Sequence, residues 1–127
     1  MKEPIWITTE VVHAVHEELL ARFGGSSGVR DEGLLDSALN RPQHCFAYEN
    51  PSLFDLAADY ALGIVKNLPF LDGNKRTGFM AAALFLEVNG IRVEVPEEDV
   101  VLQTLALAAS EIDRNEYAAW LKASCLS

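Results

Sequence analysis

The chain has 127 residues, half of them hydrophobic and 23% charged, an ordinary globular composition with enough length to bury a true core. Its net charge of −9 leaves no basic footprint for nucleic acid as main partner, although a local basic cluster can still hold a phosphate compound. No stretch approaches the roughly 18 apolar residues of a membrane span. Cys45 and Cys125 lack metal-ligand spacing and suit a reducing, cytoplasmic setting, and the start "MKEPIWITTE" has no long apolar region, so no leader segment is expected.

Ile5, Trp6 and Ile7 read as a short extended segment. Thr8 or Thr9 then caps a helix with Glu10 in its first turn. Val11, Val12, Val15, Leu19 and Phe23 recur at helical spacing until Gly24 and Gly25 end it. A loop, "GGSSGVRDEG", follows. Its "RDEG" could belong to a flap, but capping by Asp31 is the preferred reading, opening a short helix expected to stop before Pro42. "RPQHCFAYENP" is read as a second loop.

Ser52 with Asp55 has the form of a capping box and opens "LFDLAADYALGIVKN", whose buried stripe is Leu53, Leu56, Ala57, Tyr60 and Ile64. After a turn, Asn74 begins a helix that Asn89 and Gly90 end. Phe79, Met80, Leu84, Phe85, Leu86 and Val88 point in nearly every direction, so this helix is expected at the centre, buried all round. "IRVEV" alternates and reads as a short strand, paired with residues 5–7. Pro96 sits in the first turn of the next helix, followed by Glu97, Glu98 and Asp99. The last helix, "NEYAAWLKA", is entered through Asp113 or Asn115. The expected fold is all-α: residues 1–127 form one domain of five to six helices around a buried central helix, with at most a small β-hairpin.

The turn "KNLPFLDGNKRTG" carries the chemistry. Backbone N–H groups at the start of a helix face outward at the positive end of its dipole and suit an anion such as phosphate. Gly73 lets a ligand approach the backbone, and Lys75 and Arg76 add two cations. Asp72 adds one carboxylate, which suits Mg²⁺ when phosphate and water complete the shell. Asn74 can both donate and accept. The glycine spacing of a Walker A loop is absent. Spacing leaves two readings open: a phosphate site, or a common turn with a solvated Lys75 and Arg76.

The same residues resemble the Fic/Doc family motif, His-x-Phe-x-(Asp/Asn)-(Ala/Gly)-Asn-Lys-Arg in its Doc branch. The chain reads Leu68-Pro69-Phe70-Leu71-Asp72-Gly73-Asn74-Lys75-Arg76 and agrees at eight of nine positions. "RFGGSSGVRDEGLLDSALNRPQ", "YEN" and "FLEVNG" are similar to Doc-family text in the same order. The resemblance implies a Fic/Doc-like helical bundle and a toxin of a toxin–antitoxin pair. It implies kinase-type transfer of the terminal phosphate of ATP to a threonine of elongation factor Tu, and a Phd-like antitoxin as partner. It further implies that Asp72 holds Mg²⁺, that Asn74, Lys75 and Arg76 hold phosphates with Gly73 lining their site, and that Phe70 anchors the loop in the core.

At position 68 the family's general-base His is replaced by Leu68, which cannot accept a proton. His13 and His16 on the first helix and His44 in a loop are read as surface residues, not as a relocated base. Leu68 marks either a substitution that silences a toxic activity or a natural member that binds without transferring. The expectation is therefore a transferase scaffold that is impaired as written. Fic-type nucleotidyl (AMP) transfer is one alternative, disfavoured because Lys75 stands where Fic enzymes carry Gly. A non-catalytic binding module is the other.

Overall fold

A computed structural model describes residues 2–126. They form six helices: α1 (Thr9–Phe23), α2 (Glu32–Tyr48), α3 (Leu53–Asn67), α4 (Asn74–Val88), α5 (Glu97–Ala108) and α6 (Arg114–Ser124). One two-residue ladder pairs β1 (Arg92–Val93) with β2 (Cys125–Leu126), antiparallel. The architecture is all-α, as the sequence predicts.

Local signals start most helices. Thr8, Asp31, Ser52 and Asp113 each accept a bond from the backbone N–H three residues ahead. Ser52 with Asp55, and Asp113 with Glu116, form complete capping boxes. Pro96 is the cap of α5 rather than a member of its first turn.

All six helices feed one hydrophobic core. Its centre is α3, which packs against α2, α4, α5 and α6. Leu56, Ala57, Ala58, Tyr60, Ala61 and Ile64 are fully buried along it. Two glycines set its distance from its neighbours. A Cβ on Gly63 would lie 3.0 Å from the Ala38 Cα of α2, and one on Gly78 of α4 would lie 2.9 Å from Val65 Cγ1. The central helix is thus α3 and not α4, as the sequence had suggested. α4 leaves Met80 exposed, because one of its faces borders an open groove beside α1 and α5, and Val88 is exposed in its last turn.

Two further expectations are corrected. α2 does not stop before Pro42 but continues to Tyr48, and it contains His44, whose ring meets that of Tyr48 at a tilt. A mid-helix Pro costs about 3 kcal/mol. The buried stripe Leu35, Ala38, Leu39, Pro42 and Cys45 runs straight through it, and burial against α3 outweighs the lost backbone bond. Residues 5–7 do not pair with β1. The Asn89 side chain serves Ile5 instead, accepting from its N–H at 2.8 Å and donating to its carbonyl at 2.9 Å. Trp6 then stacks on Phe85.

Candidate functional site

Leu68 caps the end of α3; its backbone is left-handed (φ 52, ψ 54) and its N–H bonds the Ile64 carbonyl at 3.1 Å. The chain then crosses to α4 through residues 69–73. Phe70, 1% exposed, anchors this crossing in the core. The His16 ring stacks on it at 3.8 Å and 12°, and His13 meets it edge-on at 5.8 Å. Asn74 closes the loop on itself. Its Oδ1 accepts from the Phe70 N–H at 3.0 Å and its Nδ2 donates to the Phe70 carbonyl at 2.9 Å.

A second segment runs alongside. The Arg30 and Asp31 N–H groups donate to the Pro69 carbonyl at 2.7 and 3.1 Å, and the Leu71 N–H donates to the Gly28 carbonyl at 3.1 Å. Val29 and Phe70 form an isolated antiparallel bridge. The Arg30 side chain reaches past them: Nε donates to the Leu68 carbonyl and Nη2 to the Asn67 carbonyl, both at 2.7 Å. These carbonyls end α3, where a cation also meets the negative end of the dipole. Asp31 caps α2 as expected, and its neighbours flank the motif as well.

The start of α4 differs from the other helix starts. Its cap is Gly73, at φ 79, with no side-chain cap and no acidic residue in the first turn. The first bond of the ladder is from the Thr77 N–H to the Gly73 carbonyl, so the N–H groups of residues 74–76 face outward without helical partners. Lys75 and Arg76 are exposed there. The Arg76 guanidinium lies 4.2 Å over the Phe23 ring, a cation–π contact with the last residue of α1. Asp72 is the carboxylate of the turn. Its Oδ1 accepts from the Gly73 N–H at 2.9 Å and its Oδ2 from the Ser26 N–H at 3.3 Å. Each oxygen keeps a further lone pair for a cation. No cluster of three metal-ligating side chains occurs among the described residues, so a cation at Asp72 would depend on a phosphate ligand for the rest of its shell.

The structure thus brings Asp72, Gly73, Asn74, Lys75 and Arg76 together on one turn, with Leu68 at the opposite end of the crossing. The Asn74 side chain is spent inside the loop, which leaves only its backbone N–H to face a ligand. Leu68 is 45% exposed and presents no polar atom. His16 is not the surface residue the sequence suggested: it is 3% exposed, and Nε2 donates to the Asp72 carbonyl at 2.8 Å. Its place one turn after buried Val12 was the available signal. The role of Arg30 had no such signal, because it depends on a contact between distant segments.

A second polar cluster lies where α2 and α3 meet Arg114. Asp59, 2% exposed, accepts from Arg114 Nε at 3.2 Å and pairs with Arg41 at 3.5 Å. Burial raises its carboxyl above the usual range despite these cations. Burial and the Asp59 charge push the neighbouring Cys45 thiol up to about 12.

The fold and turn define a class: an all-helical bundle that opens one uncapped, cation-flanked helix start to solvent. The model of the Fic/DOC family matches residues 6–86. The chain is 34% identical over 117 residues to "Protein kinase doc" of Escherichia phage P1, covering 91% of this chain and 92% of that protein. It is 45% identical over 75 residues to "Toxin Doc" of Mycolicibacterium smegmatis strain ATCC 700084 / mc(2)155, covering 56% of each. The chain belongs to the Fic/DOC family, on its Doc branch.

Proposed function

We propose that this chain is a toxin of the Doc type. It is a phosphotransferase scaffold that holds ATP and Mg²⁺ at residues 72–76, and its target is a threonine of elongation factor Tu. The observation that carries this reading is the first turn of α4. It has neither a side-chain cap nor an acidic residue, and it sets Lys75 and Arg76 beside three open N–H groups. Such an end favours an anion. The residues fit the group: the N–H groups of residues 74–76 with Lys75 and Arg76 would hold phosphates, and Asp72 would hold Mg²⁺. Bound ATP supplies the transferable phosphoryl group. Asn74, Phe70 and Arg30 keep the turn in shape, which matters because this chemistry rests mainly on positioning and electrostatics.

Leu68 removes the proton acceptor at the position of the general base. A positioned base contributes roughly 10²–10⁴-fold, so the chain keeps nucleotide binding and loses most of its rate. Leu68→His restores transfer of labelled γ-phosphate from ATP to purified elongation factor Tu and arrests growth on induction. A folded Leu68→His chain that does neither refutes the kinase reading. Label arriving only from α-labelled ATP assigns the chain to nucleotidyl transfer.

The partner is a Phd-like antitoxin. A groove of about 610 Å³ between α1, α4 and α5 is lined by Val15, Leu19, Phe79, Met80, Val100 and Val101, and also by Arg76. It suits the apolar face of an amphipathic helix, and an occupant would lie beside the phosphate turn. A second reading, a binding module without catalysis, is favoured by Leu68 itself. Antitoxin binding together with an inert Leu68→His chain would establish it.

A further inference from the structure

α1 lays an apolar stripe under the motif turn, with Val12 one turn before His16 and Leu20 one turn after. Burying an imidazole N–H in such a stripe is unfavourable unless it finds an acceptor. Here Nε2 donates to a single acceptor, the Asp72 carbonyl, at 2.8 Å. That carbonyl precedes the first ladder bond of α4 and has no helical partner. The ring also stacks on Phe70 at one side of the turn. At the other side it lies against Gly73, where a Cβ would sit 3.6 Å from His16 Cδ2.

The geometry points to His16 as a positioning residue for the phosphate turn, an inference that rests on the phosphate-site reading above. A trans peptide directs its C=O and N–H to opposite sides. By holding the Asp72 carbonyl inward, His16 turns the Gly73 N–H outward. That N–H draws the Asp72 carboxylate to the outer face through its 2.9 Å bond to Oδ1. The open N–H groups of residues 74–76 then leave from a fixed starting plane. His16 touches no ligand. It sets the direction of the residues that would.

Two variants separate positioning from packing. His16→Phe keeps a ring on Phe70 and loses the donor. His16→Gln loses the ring and keeps a donor at similar reach. In the free protein, His16→Phe speeds hydrogen exchange at the Phe70 and Leu71 amides about tenfold, the worth of one partly buried hydrogen bond. Core amides such as Ile64 and Val65 keep their wild-type rates. Calorimetric affinity for ATP with Mg²⁺ falls by a similar factor, and His16→Gln stays within about threefold of wild type in both readouts. Wild-type exchange at Phe70 and Leu71 in His16→Phe overturns the inference. So does a uniform rise that includes Ile64 and Val65, which would make His16 a packing residue only. If wild type itself binds no ATP while the exchange result holds, the phosphate reading fails and the positioning role stands.

Discussion

Arg30→Met isolates what holds the end of α3 against the motif. The substitution keeps a long apolar stem and removes two charge-assisted bonds, to the Leu68 and Asn67 carbonyls at 2.7 Å each. Bonds from a charged donor are worth about 1.5–3 kcal/mol apiece. Arg30 is exposed and the freed carbonyls can take water, so the pair together is worth about 2 kcal/mol rather than the sum. For a domain of this size each kcal/mol moves Tm by roughly 4 °C, which predicts a fall of about 8 °C. Urea unfolding should show a lower midpoint with an unchanged slope, because the surface exposed on unfolding hardly changes. Arg30→Lys, with one compact cation in place of a fork, should lose about half as much. Stability within about 0.5 kcal/mol of wild type for Arg30→Met, the range of ordinary surface changes, would refute the clamp.

Gly63→Ala places a methyl 3.0 Å from the Ala38 Cα and 3.1 Å from its carbonyl. Backbone cannot yield as a side chain can, so urea unfolding should show a net loss of about 1–2 kcal/mol despite the gain in helix propensity. Tyr60→Phe deprives the buried Ile7 N–H of its acceptor at 3.2 Å and should cost about 1–3 kcal/mol in the same assay. Asp59 has a raised carboxyl pKa, so the folded state binds its proton more readily than the unfolded chain. Stability from this group is therefore greater below its folded pKa and falls as pH rises through it. Wild type should accordingly gain on Asp59→Asn as pH is lowered from neutral toward 4, and a pH-independent difference between their urea midpoints would contradict the assignment.

Much of the fold was legible because its signals are local. The caps at Thr8, Asp31, Ser52 and Asp113 each concern residues within one turn, and all four operate. The motif turn was legible for the same reason. What failed was decided by partners far away in sequence. Pro42 reads as a stop unless the burial of Cys45 beyond it is known. Residues 5–7 read as a strand because nothing in sequence announces that the Asn89 amide will bond Ile5. The two faces of α4 cannot be told apart by hydrophobicity, yet only one meets α3. His16 reads as a surface polar residue until Asp72, fifty-six positions later, supplies its acceptor. Asn74 shows the limit within the motif itself. Its identity belongs to the motif, but its amide is used to shape the loop and not to face a ligand.

A left-handed conformation costs an ordinary residue about 1–2 kcal/mol, and Leu lacks the short polar side chain that eases it for Asn or Asp. Nothing in Leu68 favours φ 52. The surroundings impose it: Ile64 holds its N–H, Arg30 holds its carbonyl, and Pro69 fixes the next φ. Strain of this kind persists only where neighbours over-determine it, and such residues gather at functional sites. The side chain at 68 is 45% exposed and carries no polar atom, so the backbone geometry does not serve it. The geometry serves the crossing from α3 to α4, and it would present any side chain at 68 from the same backbone. Leu68→His therefore changes the chemistry offered at that point while leaving the bonds that shape the turn in place, since every one of them runs through the backbone of 68 or through other residues.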